Sequence, residues 1–109
     1  MATRNARSTA FIGTELKINV SIDPIGELTM EDYDFIIEMY CSPKKVVTIK
    51  KEEAIKIDSS NYIARVDSNI TGAGDLKCKV TAYIPDMDFD DSFRTEVALI
   101  DTNITITKS

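Results

Sequence analysis

The sequence predicts an all-β fold: a sandwich of about seven short strands over residues 13–109, preceded by a flexible N-terminal arm over residues 1–12. Three observations carry this reading. The chain has 109 residues, 43% apolar and 28% charged, which suffices for one domain around one core. Its 15 Ile, 6 Val and 11 Thr outweigh 4 Leu and 8 Ala, and β-branched side chains fit a pleated surface better than a helix. Apolar and polar residues alternate in short stretches separated by Pro, Gly, Asn and Asp. That is the pattern of half-buried strands joined by turns.

The elements follow in order. Residues 1–12 are small and polar, with Arg4 and Arg7 and no acid, and their only large apolar side chains after Met1 are Phe11 and Ile12. Such a segment buries too little to offset roughly 1–2 kcal/mol of backbone entropy per residue. Removing it is therefore expected to leave the melting temperature of the domain unchanged. Leu16, Ile18, Val20 and Ile22 alternate with Lys17, Asn19, Ser21 and Asp23 as a first strand, ended by Asp23-Pro24 and Gly26. Thr29 to Asp32 reads as a capping-box turn of at most one helical turn. Tyr33, Phe35, Ile37, Met39 and Cys41 share one face of a second strand. Val47 and Ile49 point inward on a third, Ile55 and Ile57 mark a short fourth, and Tyr62, Ala64 and Val66 a fifth.

After a loop over residues 67–74 comes the clearest strand, with Leu76, Cys78, Val80, Ala82 and Ile84 on one face. An acidic loop over residues 85–92 follows. In the last stretch Val97 and Leu99 occupy odd positions and Ile104 and Ile106 even ones. A parity switch is expected across Asp101-Thr102-Asn103, through a bulge or a change of sheet, with Val97 and Leu99 inward.

Charge and composition exclude several functions. A net charge of −5 opposes nucleic-acid binding, which needs a phosphate-neutralising surface. No apolar run approaches the roughly 18–20 residues of a membrane span, and the N-terminus lacks a signal-peptide core. The chain contains no His, which removes His-based triads and His-ligated metals, and no Ser or Cys sits in a recognisable nucleophile motif. The reading is non-enzymatic, with no cofactor.

Asp86-Met87-Asp88-Phe89-Asp90-Asp91 is the sharpest cluster. Its hard oxygen donors make Asp86, Asp88 and Asp90 a weak metal candidate, and the basis of the only hydrolase worth naming. An EF-hand loop would need Gly and Glu where Asp91 and Val97 stand. The alternative is a solvated loop that meets a basic partner surface, with Phe89, Phe93 and Arg94 as interface residues. Arg4, Arg7, Phe11 and Ile12 form a second candidate interface. Gly72-Ala73-Gly74 precedes a strand, so it reads as a tight turn and not as a dinucleotide loop. Cys41 and Cys78 fit either a cross-sheet disulfide or two small buried thiols in a reducing compartment.

Asp67 and Gly74-Asp75-Leu76-Lys77-Cys78 resemble the loop and sixth strand of an immunoglobulin-like domain. Leu76 stands where a corner tyrosine would be and no Trp packs the core, so the resemblance is to the architecture and not to the antibody superfamily. Met30-Glu-Asp-Tyr-Asp-Phe35, Gly74-Asp-Leu-Lys-Cys-Lys-Val-Thr-Ala-Tyr-Ile-Pro-Asp86 and Phe93-Arg-Thr-Glu-Val97 are similar to small virion proteins of tailed phages of Bacteroides-type bacteria, including the crAss-like phages. This resemblance implies an immunoglobulin-like structural module of the virion, assembled in the host cytoplasm. The form expected first is an auxiliary or decoration protein of the capsid, partnered by other virion proteins such as the major capsid protein, or by further copies of itself. A tail, collar or baseplate subunit is the alternative, or a stand-alone protein- or carbohydrate-binding module.

Overall fold

The computed structural model describes residues 8–108. The described residues are mainly β, with eight strands, one short helix and one 3-10 turn. The strands are β1 (Ser8–Phe11), β2 (Glu15–Ser21), β3 (Asp34–Tyr40), β4 (Val46–Lys50), β5 (Ile55–Asp58), β6 (Asn61–Asp67), β7 (Gly74–Pro85) and β8 (Phe93–Thr107). Helix α1 (Ser68–Thr71) sits in the expected loop between β6 and β7. Two sheets result, a five-stranded one in the order β1-β8-β7-β3-β4 and a three-stranded one in the order β2-β6-β5.

The alternating stretches form strands because one face of each meets the core. Ile18 and Val20 from β2, Phe35, Ile37 and Met39 from β3, Ile49 from β4, and Leu76, Cys78, Val80 and Ala82 from β7 are all buried, as the pattern predicts. Leu16 and Val47 are half-buried against the same core. Phe35 lies at its centre, edge-on to Tyr62 of the opposite sheet at 5.1 Å between ring centroids. Met30 and Tyr33, which bracket the turn before β3, are also buried. That turn closes through the Asp32 N–H, which donates to the Thr29 carbonyl at 2.9 Å. Asp32 returns a carboxylate oxygen to the Thr29 N–H at 2.8 Å.

The structure corrects two expectations. The first concerns the arm. Ser8 to Phe11 run parallel to β8, with Ser8 opposite Ile104 and Phe11 opposite Thr107. Ile12 continues the contact, donating its N–H to Thr107 at 2.9 Å, and packs on the core. The ordered chain therefore begins before Gly13. Arg4 and Arg7 lie outside the described residues.

The second correction concerns β8. Val97 and Leu99 point outward, 55% and 72% exposed, while Ile106 is buried and Ile100 and Ile104 pack on the core. A bulge does occur where the sequence places one. Lys77 pairs with Asp101 but Asp75 pairs with Thr105, so β8 carries two extra residues there. Because side-chain direction has period two, an insertion of two residues leaves parity unchanged. Even positions face inward on both sides of the bulge. Asn103 absorbs the distortion at φ 61°, a conformation Asn tolerates. The Thr102 hydroxyl donates to the Leu76 carbonyl at 2.8 Å, within the stretch where the ladder shifts register.

A candidate interface along the last hairpin

The acidic residues 86–91 form the tip of the β7–β8 hairpin, and the carboxylates of Asp86 and Asp91 help to shape it. Asp86 accepts the Asp88 N–H at 3.0 Å, and Asp91 accepts the Phe93 N–H at 3.1 Å. The backbone closes the tip through the Ser92 N–H to Phe89 at 2.8 Å and the Asp86 N–H to Ser92 at 2.9 Å. Among the described residues, no group of three or more Cys, Asp or Glu is arranged to hold a metal ion. Asp86, Asp88 and Asp90 do not converge into such a group. Between its exposed acids Asp88, Asp90 and Asp91 the tip presents apolar side chains as well: Met87 is 85% exposed, and Phe89 and Phe93 are each 48% exposed.

Arg94 is committed within the fold. Its Nε lies 3.3 Å from an Asp86 carboxylate oxygen, and its Nη1 donates to Glu96 at 2.9 Å. The two acids hold the guanidinium on the inner face of β8, so it does not project from the hairpin as a free cation. Glu96 also borders a cleft of about 240 Å3 between the chain after β2 and the inner face of β8, lined by Ile22, Ile25, Tyr33 and Ala98 among others. The Tyr33 hydroxyl is buried without a hydrogen-bond partner. Burial, with the Glu96 carboxylate adding to it, raises its pKa above the usual phenol value.

The exposed apolar tip continues down the outer face of β8 as Phe93, Val97 and Leu99, with Thr95 between them. Pairing with β7 places Tyr83 beside Thr95, Thr81 beside Val97 and Lys79 beside Leu99. This stripe is what sequence reasoning missed in Val97 and Leu99. Phe11 stands apart on β1, 57% exposed. Ile12 is half-buried and packs against the core.

Both thiols are free, Cys78 buried and Cys41 half-buried. A cross-sheet disulfide is excluded by topology: Cys78 sits on β7 opposite Met39, and Cys41 follows the end of β3, the neighbouring strand of the same sheet. The Cys41 thiol points at the Gly74 carbonyl at 3.4 Å. Gly74 has φ +131°, a conformation that favours glycine, and a Cβ there would also press on the Cys41 Cβ at 3.3 Å.

Burial pushes the Cys78 thiol up from 9.0 to about 11. Between those values the unfolded chain has lost the proton and the folded chain keeps it. Stability must then fall as pH rises from about 9 towards about 11, by up to about 3 kcal/mol. The Tyr33 phenol and the Cys41 thiol are shifted in the same direction, so a Cys78→Ala variant is needed to isolate the effect. Urea unfolding at about pH 8 and about pH 10.5 should show a steeper loss for the unaltered chain than for the variant. The variant itself should cost on the order of 1 kcal/mol at the lower pH through its small cavity. Parallel losses in the two proteins would remove Cys78 from the account.

No helix among the described residues is long and apolar enough to cross a membrane. Comparison with protein-family models, curated proteins and solved structures returns no match.

Proposed function

We propose that this protein is a non-enzymatic assembly module of immunoglobulin-like architecture, and that it serves as a structural protein of a phage virion, most simply an auxiliary or decoration protein of the capsid. The observation that carries the assembly reading is the apolar surface along one hairpin, from Met87 and Phe89 at the tip through Phe93 to Val97 and Leu99. Exposed large apolar side chains grouped on a rigid element mark contact surfaces more often than scattered ones do.

The strand orders support the architectural part. Strands β2, β6 and β5 fall in the B-E-D order of an immunoglobulin sandwich. Strands β8, β7, β3 and β4 fall in the G-F-C-C′ order of its second sheet. Strand β1 adds a parallel edge to the G-like strand. The fold alone does not choose a function. The phage assignment rests on the sequence resemblance of residues 30–35, 74–86 and 93–97.

Mass spectrometry of particles purified from the host that carries the gene tests it. The protein should be found in intact virions, at hundreds of copies for a head protein and at a ring's worth for a tail or collar subunit. Absence from particles that contain the other structural proteins would overturn the virion reading.

A further inference from the structure

Strand β8 has 15 residues, but β1 covers only Ile104 to Thr107 on the side away from β7. From Phe93 to Ile100, among the described residues, β8 has a strand partner on its β7 side alone. The direction of its free backbone groups can be fixed. Pro85, which has no N–H, lies opposite Phe93, and the Asp86 N–H donates to Ser92. In an antiparallel ladder hydrogen-bonded and non-bonded pairs alternate. Even residues of β8 therefore bond to β7, and Thr95, Val97 and Leu99 turn their N–H and C=O groups to the open edge.

The other sheet edges are guarded. Strand β4 ends on Lys50 and is flanked by Lys44, Lys45 and Lys51; Lys17 lies within β2; β1 and β5 have four residues each. Short strands and lysines are the usual protection against edge-to-edge pairing. The sequence Thr95-Glu-Val-Ala-Leu-Ile100 has neither lysine nor proline.

We infer that this edge pairs with the same edge of a second copy of the chain, antiparallel about a two-fold axis through Ala98, joining two five-stranded sheets into one of ten strands. A two-fold contact needs a patch complementary to itself, and this one is. With Ala98 on the axis, Val97 lies opposite the second copy's Leu99 and Leu99 opposite its Val97. Each such pair exchanges two backbone hydrogen bonds. The four side chains, 55% and 72% exposed in the single chain, then meet on the outer face. Arg94 falls opposite Thr102 and Glu96 opposite Ile100, so no like charges face one another. A register moved by one step of two sets Leu99 against Thr95 in one direction, or Val97 against Asp101 in the other. Each of those registers keeps one apolar pair on its axis, Val97 against Val97 or Leu99 against Leu99, whereas the Ala98-centred register matches both positions apolar with apolar.

The inference rests on the reading of the chain as an assembly module, and the two fail separately. A monomeric chain that is still found in virions sinks the edge pairing alone. The test is sedimentation of the full-length purified chain, with two variants. The unaltered chain should sediment at twice its monomer mass, and Leu99→Lys at the monomer mass with an unchanged circular dichroism spectrum and melting temperature. In a Cys41→Ser background, Ala98→Cys should form an intermolecular disulfide on mild oxidation. Residues on the axis form a non-bonded pair with Cα atoms about 4.5 Å apart, within disulfide range. Val97→Cys, displaced from its own counterpart in this register, should not. A chain that sediments as a monomer, a dimer indifferent to Leu99→Lys, or cross-linking at position 97 in preference to 98 would overturn the proposal.

Discussion

Replacing Phe35 by alanine is expected to remove about 3–5 kcal/mol of stability, the usual cost of truncating a buried aromatic ring. A domain of this size holds roughly 5–15 kcal/mol in all, so the variant should lie close to the unfolding threshold. The reason is position. Phe35 is fully buried on β3 of the five-stranded sheet, and its ring meets Tyr62 of the three-stranded sheet edge-on. Tyr33 approaches at 6.4 Å, also edge-on. The Lys51 ammonium stands 5.7 Å from the ring centroid while donating to the Tyr33 carbonyl at 2.8 Å. Alanine would leave a void between the sheets and strip all three neighbours of their contact. At about 4–8 °C per kcal/mol for domains of up to 100 residues, the melting temperature should fall by roughly 12–40 °C. Phe35→Leu, which keeps most of the volume, should recover more than half of the loss. A fall of less than about 1 kcal/mol for alanine would mean that the sheets close over the gap.

The ease with which Phe35 could be placed in the core shows where the sequence is explicit. Residues 76–84 alternate cleanly, and residues 33–41 do so apart from Ile36 and Tyr40, because each strand has one face against the core and a more polar face outside. Period two then identifies the inward set without further information. Strand β8 offers no such contrast. Val97, Ala98, Leu99 and Ile100 are apolar on both parities, so periodicity selects neither face. The choice is made by register with β7, starting from Pro85 opposite Phe93. Asp101-Thr102-Asn103 does announce an interruption, but nothing in those letters says that two residues are inserted and not one. That number decides whether the faces exchange.

The candidate interface was legible to the same degree. Phe89 and Phe93 stood out as aromatics among acids, and both are exposed. The continuation of their surface onto Val97 and Leu99 was hidden by the same ambiguity. A cue was present. Buried Leu76, Cys78, Val80, Ala82 and Ile84 need partners of matching parity across the hairpin, and counting back from Pro85 and Phe93 turns Val97 and Leu99 outward. The role of Arg94 could not be read, because its two carboxylate partners are fixed only once the hairpin closes.

Strand β1 was the least visible element, since Ser8 to Phe11 show no alternation and their partners lie some 96 positions along the chain. Its expected effect on stability is nonetheless large. A chain starting at Gly13 is expected to melt well below the full-length protein, contrary to what the composition of the segment implies. The loss includes the parallel pairing with residues 104–107 and the Ile12 side chain, which packs on the core. It also includes the Phe11 carbonyl, which accepts from the buried Ser68 hydroxyl at 3.5 Å and from the Thr14 N–H at 3.0 Å. Half-burial of one isoleucine contributes about 1 kcal/mol, and leaving a buried hydroxyl without its acceptor costs about 1–3 kcal/mol. Together they set the expected destabilisation at about 2–4 kcal/mol, measured by urea unfolding of the two chains side by side. Equal midpoints would show that β1 adds nothing to the fold. The same comparison governs any assembly experiment: failure of the shortened chain to enter particles reports on folding as much as on contact. The double variant Arg4→Ala, Arg7→Ala leaves β1 intact and separates the two. If the N-terminal arginines bind a neighbour in the particle, that variant should keep the full-length melting temperature and lose incorporation. Incorporation at the full-length level would show that they do not.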